Sequence, residues 1–283
     1  MPVDLHTHST ASDGSDSPTV LVSNVAAARI STFALTDHDT TEGLEEARAA
    51  AEVVGIGMIP GVELSLEWDK GGMHLIVLWL EPTPGPLQDR LSGLQASRAS
   101  RNERMVERLR ELGMDITLEE VEAESGGGST GRPHIAAVMV RKGYVDDLPA
   151  AFDEYLAAGR PAYLGRERLT PEEGIGLARA SGAVPVLAHP HTLGVDNRME
   201  MADLMERLSA AGLIGIECLY GSYEAPGRAG LVKMASRFGL LPSGGSDYHG
   251  SYKDDVALGV GRVGIPVPDR VLEDLAAART PAR

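Results

Sequence analysis

The sequence predicts an α/β fold whose largely parallel sheet is curled into an incomplete or distorted barrel. Three observations lead there. Seven short apolar runs have the length and bounding turns of buried strands, at residues 2–6, 33–36, 57–62, 74–80, 183–188, 213–219 and 240–243. Helical patterns lie between several of them at both ends of the chain. Histidines and acidic residues collect where the runs end, the place at which the loops of a parallel α/β barrel converge.

The first run, VDLHTHST, carries His6 and His8. Residues two apart in a strand face the same way, so the two imidazoles stand side by side. The acidic loop SDGSDSP follows with Asp13, and Ser17-Pro18 then starts a helix, with Ser as N-cap and Pro at the first helical position. The second run closes on LTDHD with His38, and the third closes on Glu63. His74 opens the fourth run instead of closing one, which fits a turn over Glu67 to Gly72 between antiparallel strands. Thr170-Pro171-Glu172-Glu173 starts another helix, with acids in the first turn where the helix dipole favours them. The fifth run ends in VLAHPH with His189, the sixth is LIGIECLY, and the seventh leads to GSDYHG with Asp247 and His249.

The middle breaks this alternation. After Pro82, Pro84 and Pro86, residues Leu87, Leu91, Leu94, Met105, Leu109 and Leu112 recur at helical spacing. A glycine-rich stretch from Ser125 to Gly131 leads to another helical segment, Ile135 to Arg141. Residues 84–166 therefore read as a mainly helical inserted cap domain, and residues 1–83 with 167–283 as the barrel.

Composition narrows the function. The chain has 283 residues, 43% of them hydrophobic, enough for one large domain or one domain carrying an insertion. Aromatic residues make up only 4%, which weakens any reading based on base stacking along a strand. A net charge of -15 disfavours long duplex nucleic acid, whose binding depends on neutralising many phosphates, and leaves a small phosphorylated substrate allowed. Cys218, the only cysteine, excludes an intramolecular disulfide and reads as a buried, inert thiol. No signal peptide pattern follows Met1-Pro2 and no run reaches the length of a membrane span. The expectation is a cytoplasmic protein with no obligate protein partner.

Six of the eight histidines join Asp13, Glu63 and Asp247 in a nine-member set: His6, His8, Asp13, His38, Glu63, His74, His189, Asp247 and His249. Singly, each has a structural reading. His38 could be a loop histidine between two acids, Asp37 or Asp39 could start the next helix, and His189 could be a strand-end residue bonded to backbone. Jointly they point to metal, and nine donors exceed one zinc site with about three protein ligands. Mixed imidazole and carboxylate suits manganese, iron or zinc better than magnesium or calcium.

In order, HTHST with Asp13, TDHD, GVE, the isolated His74, AHP and SDYH resemble the motifs of the polymerase and histidinol phosphatase (PHP) superfamily. The resemblance covers both flanks of the chain. It implies a distorted (β/α)7 barrel with up to three divalent ions, usually Mn, Fe or Zn, at the carboxyl ends of the strands. It also implies an allocation. His6, His8, Glu63 and Asp247 would hold one ion, Glu63 would bridge to a second that takes His74 and His189, and Asp13, His38 and His249 would hold a third. Phosphate ester hydrolysis is the reaction expected of such ions, by a metal-bridging hydroxide held by Glu63, His74 and His189.

The cap would choose the substrate. Arg132 and His134 in TGRPHIAAV precede a helix, and a guanidinium matches phosphate oxygens with a two-pronged geometry. RPH also looks like a segment of PHP enzymes that act on nucleotides. Arg160 in GRPAY is a second phosphate-binding candidate. Arg98, Arg101 and Arg104 share a helical face that reads as solvated beside Glu103 and Glu107, and Tyr220 and Tyr223 are base-stacking candidates for which packing is the plainer role. His191 stands outside the metal set. The expected activity is hydrolysis of nucleotide phosphomonoesters, either nucleoside 5'-monophosphates or 3',5'-bisphosphates, extending to short RNA 5' ends. Histidinol-phosphate phosphatase and a non-catalytic metal-stabilised module are the alternatives.

Overall fold

All seven expected strands form one sheet in a computed structural model that describes residues 2–125, 130–165 and 167–279. They are β1 Val3–Thr7, β2 Thr32–Leu35, β3 Gly57–Ser65, β4 His74–Leu78, β5 Val184–Leu187, β6 Gly215–Glu217 and β7 Leu241–Ser243, neighbours in chain order. Ten α-helices accompany them among the described residues: α1 Pro18–Ala27, α2 Leu44–Val54, α3 Pro86–Glu111, α4 Leu118–Glu124, α5 Arg132–Arg141, α6 Leu148–Ala151, α7 Pro171–Ala180, α8 Arg198–Ala210, α9 Ala225–Arg237 and α10 Asp269–Ala277. The centre of the glycine-rich stretch, residues 126–129, lies outside the described residues. No described helix is long and apolar enough to cross a membrane.

The sheet is largely parallel and departs from that only at β4. β4 runs antiparallel to both β3 and β5, and every other neighbour pair is parallel. The cause is the short connection over residues 66–73, since a parallel crossover needs about a dozen residues or more. It is the turn that His74, at the start of its run, implied.

Local signals set the helix starts. Ser17 Oγ accepts from the Val20 N–H at 3.3 Å, with Pro18 in the first turn of α1. Thr170 and Glu173 form a reciprocal capping box on α7, with Thr170 N–H to Glu173 Oε2 at 2.9 Å and Glu173 N–H to Thr170 Oγ1 at 3.3 Å. Such a cap contributes about 1 kcal/mol.

One face of the sheet is covered by helices. Phe33 and Leu35 pack with α1 and α2, while Leu64, Leu75 and Val77 pack with residues of α3, α7 and α8. The other face, inside the curl, forms its own cluster of Val3, Leu5, Ala34, Ile59, Ile76, Leu78, Val184 and Val186 with Val271 and Leu275 of α10. The two edges meet. Leu5 N–H bonds Gly244 O, Asp247 N–H bonds His6 O at 2.9 Å and His8 N–H bonds Tyr248 O at 2.9 Å, so the segment after β7 lies along β1.

Helix α3 spans 26 residues and two cores. Leu87, Leu91 and Leu94 belong to the core over β3 and β4, whereas Met105, Val106 and Leu109 join a separate cluster with Val121, Ile135, Met139 and Leu156. The expected solvated arginine stripe on α3 is overturned. Arg98 and Arg101 are buried and only Arg104 is exposed, because that helix face is turned toward residues of the barrel.

Candidate metal centre

The nine expected donors converge at the end of the curl where β1, β2 and β5 hand over to their loops. β1 delivers two of them by an irregularity. Its register with β2 passes from Asp4↔Phe33 to Thr7↔Leu35, which inserts one extra residue into β1. Alternation is thereby reset, so Leu5 enters the inner core while His6 and His8 enter the site. Gly245 permits the approach of the opposite edge, since a Cβ there would stand 2.4 Å from His6 Cβ. Glu63 pairs in register with Ile76 of the inner cluster and therefore faces inward.

Glu63 is the hub. Its Oε1 lies 2.9 Å from both His74 Nδ1 and His189 Nε2, and its Oε2 lies 3.2 Å from both His6 Nε2 and His8 Nε2. Asp247 Oδ1 is 3.4 Å from each of His6 Nε2 and His8 Nε2. Its other oxygen accepts from Tyr220 Oη at 2.7 Å and Lys253 Nζ at 2.6 Å, which leaves Oδ1 to the histidines. Asp13 lies 3.4 Å from His249 Nε2, 3.6 Å from His8 Nδ1 and 3.7 Å from His38 Nε2.

Four groups have donor atoms close enough to share a cation: His8 with Asp13, His38 and His249; His6 with His8 and Asp247; His6 with Glu63 and His189; and His38 with Glu63 and His74. Every one of the nine residues occurs among them. The donor set fits divalent cations on two further grounds. Among the described residues the buried Nδ1 atoms of His8 and His38 have no hydrogen-bond partner, and the Nε2 atoms of His6 and His8 face each other at 3.0 Å. Groups so placed are costly to bury without a shared partner.

Electrostatics follow from this crowding. Burial alone would raise the carboxylates, but the histidines around them outweigh it and hold Glu63, Asp13 and Asp247 well below the usual carboxylate range. Burial pushes His38 down to about 3. Burial also acts against the imidazolium of His8, yet hydrogen bonds to Asp247 and Glu63 and the charges of Glu63 and Asp13 prevail and raise it to about 9. Cys218 is buried and pushed up to about 12 by desolvation, as an inert thiol should be.

Several residues of the site were not singled out from the sequence. Glu217, fully buried at the end of β6, approaches His6 Nδ1 at 3.0 Å and accepts from the His189 N–H at 2.7 Å. Its signal was an acid inside the apolar run LIGIECLY. Asp37 and Asp39 do not start α2, whose N-cap is Gly43. Asp37 accepts from Ser9 N–H at 2.8 Å and Ser12 Oγ at 2.6 Å, bracing the loop after His8. Asp39 accepts from Ser65 N–H at 2.9 Å and pairs with Arg98. Asp39, His189 and Asp247 adopt positive φ of 55°, 22° and 58°. Such backbone costs about 1–3 kcal/mol per residue and clusters at functional sites.

The expected substrate residues divide. Arg132 lines a cavity of about 210 Å³ with Arg98, Arg101, Arg168, Ser65 and Phe152, alongside Asp13, His38 and His74. Its guanidinium lies over the rings of Phe152 and Tyr163, at 5.6 and 5.7 Å. His134 is buried, and its Nδ1 accepts the Gly131 N–H at 3.0 Å, so it caps α5 beside Arg132. Arg160 is exposed and does not line this cavity. Tyr220 is buried against Asp247, and the Tyr223 hydroxyl lies 2.8 Å from His191 Nδ1, so both are engaged in packing and hydrogen bonds.

The PHP domain family model matches residues 4–158. A 3',5'-nucleoside bisphosphate phosphatase of Chromobacterium violaceum is 34% identical over 260 residues, covering 87% of each chain. A 5'-3' exoribonuclease of Haemophilus influenzae is 34% identical over 246 residues, covering 87% of this chain and 89% of the relative. Among solved structures, a Bifidobacterium adolescentis protein assigned as a metal-dependent phosphoesterase superposes with a TM-score of 0.86 at 29% identity, covering 99% of this chain and 98% of that one. A Chromobacterium violaceum amidohydrolase, solved with sulfate and without metal, gives 0.84 at 30% identity and 97% of both chains.

Proposed function

Because the chain belongs to the PHP domain family, we propose that it is a metal-dependent hydrolase of phosphate esters whose substrate is a nucleotide carrying a second phosphate. The observation that carries the second phosphate is the arginine cavity. In a chain with a net charge of -15, Arg98, Arg101, Arg132 and Arg168 line one cavity beside Asp13, His38 and His74. The buried Nε atoms of Arg98 and Arg168 have no hydrogen-bond partner among the described residues. Guanidinium groups gathered around one cavity favour a phosphate or carboxylate there.

In this reading the nine donors, His6, His8, Asp13, His38, Glu63, His74, His189, Asp247 and His249, hold up to three divalent ions of the Mn, Fe or Zn kind. Bound there, the ions would supply an activated water at neutral pH and neutralise charge on the phosphoryl oxygens. The chain's own residues position this chemistry. Glu217 orients His6, and Tyr220 with Lys253 orients Asp247. Residues 84–166 act as the substrate cap over the barrel of 1–83 and 167–283. Arg132 grips phosphate, and His134 serves it by fixing the start of α5.

Extension of the substrate to a short RNA 5' end is supported by the likeness to the exoribonuclease alone. The cavity that adjoins the first at Arg98 carries Glu42, Glu103 and Glu122 beside Gln95, Asn102 and Thr130, an acidic lining that opposes a polyanion. Phosphate release from a nucleoside 3',5'-bisphosphate, a 5'-monophosphate, a short 5'-phosphorylated RNA and histidinol phosphate tests the reading. The bisphosphate is expected to give the highest kcat/KM. Activity on histidinol phosphate alone would overturn it.

A further inference from the structure

A cavity on the other side of Asp13 and His38 differs in kind from the arginine cavity. It encloses about 270 Å³ and is lined by Pro133, Leu148, Phe152 and Tyr252, with Lys253, Asp13, His38 and His249. The two cavities share Asp13, His38, Pro133 and Phe152. A ligand held at His38 and Asp13 therefore meets guanidinium groups on one side and an aromatic, aliphatic wall on the other.

We propose that this second cavity is a nucleobase seat, in which Tyr252 and Phe152 offer ring faces to a flat heteroaromatic ring above Leu148 and Pro133. The proposal rests on the phosphoesterase reading and adds the part of the substrate that is not phosphate. Flat bases bind by stacking on such faces, with little demand for hydrogen-bond readout.

The local structure holds both rings in place. Leu148 opens α6 and Phe152 follows four residues later, so they share one helical face. From Phe152 to Leu156 the chain continues as a single π-helical turn, a rare form met at functional sites. Across the cavity, Tyr252 sits on the 3-10 turn Gly250–Lys253 that directly follows His249. That turn is tied down by Ser15, whose N–H bonds His249 O at 3.0 Å and whose hydroxyl accepts the Ser251 N–H at 2.8 Å. Gly250, at φ 66°, allows the approach, since a Cβ there would lie 2.0 Å from Ser15 Oγ. The His134 ring meets Tyr252 edge-on at 6.5 Å. Tyr252 is half-buried, which leaves part of its ring for a ligand.

Phe152 also underlies the Arg132 guanidinium, so its loss would disturb phosphate binding as well. Tyr252 is the cleaner probe. The experiment measures steady-state phosphate release by the metal-loaded enzyme from adenosine 3',5'-bisphosphate and from base-free 1-O-methyl ribose 3,5-bisphosphate. The ratio of kcat/KM for the nucleotide over the base-free substrate is expected to fall about 10-fold in Tyr252→Leu and to be kept by Tyr252→Phe, the size expected for loss of one stacking ring. Misfolding would depress both substrates and leave the ratio in place. An unchanged ratio in Tyr252→Leu, with both substrates still hydrolysed by the wild type, overturns the base seat alone. Release from neither substrate by the wild type overturns the function proposed above and the seat with it.

Discussion

The carboxylate of Glu217 lies 3.0 Å from Nδ1 of His6, on the side of the imidazole opposite to the Nε2 that meets His8 and Glu63. A carboxylate in that position fixes the ring's tautomer and makes the far nitrogen a better ligand. Glu217→Gln keeps the volume and removes the charge. It is expected to weaken metal binding about 10- to 100-fold, read by titration of the chelated protein with manganese or zinc. Unchanged affinity would show that Glu217 only supports the backbone of His189.

Asp13 and Arg132 are expected to fail differently. Asp13→Ala removes a carboxylate shared by His8, His38 and His249 and should lower kcat together with bound metal. Arg132→Ala should chiefly raise KM for the bisphosphate with metal content intact. Kinetics paired with metal analysis separates the two, and an Arg132→Ala enzyme with unaltered KM would remove that residue from substrate binding.

The raised pKa of His8 makes metal uptake and proton release one event. In the metal-free protein the charged His8 stabilises the fold fully below about 6.5, and this contribution is lost as pH rises through about 9. The depressed Asp13 and Glu63 act oppositely, stabilising above their ordinary values of 3.8 and 4.5 and losing that contribution on acidification. Apparent metal affinity should therefore rise with pH from 6.5 to about 9. Calorimetry in buffers of different ionisation enthalpy should record proton release, and a flat affinity over this window would contradict the assignment of His8 as a ligand.

Gly245→Ala places a Cβ 2.4 Å from His6 Cβ, between two backbones with no flexible side chain to yield. Forced overpacking of this kind costs about 1–3 kcal/mol. A lower Tm and reduced metal content are expected together. A normal Tm and full metal content would show that the β1 edge can shift without disturbing the site.

The seven strands and the convergence of the nine candidate donors were legible because each rests on residue type and local period: apolar runs, His-x-His, and acids at strand ends. Features that depend on pairing were not. The extra residue in β1 exists only in its register with β2, and nothing in VDLHTH announces it. The three-residue spacing of Arg98 and Arg101 gives a shared face but not what that face meets, and Asp39 lies far away in sequence. Glu217 was hidden because an acid at a strand end was sought beside histidines, and this one stands among aliphatic neighbours. The direction of β4 was half legible, through His74.

Helix α3 enters two cores and carries Arg98 and Arg101 between them. At 26 residues it is a rod of about 39 Å. Its lower end is clamped by Leu87, Leu91 and Leu94 over the sheet, so the height of the arginines above His38 is set by helical rise and not by loop conformation. In the proposed function the helix would thus set how far a second phosphate can lie from the metal donors. A protein built this way can change the length of molecule it accepts by sliding or resizing one helix, and leave the metal donors untouched.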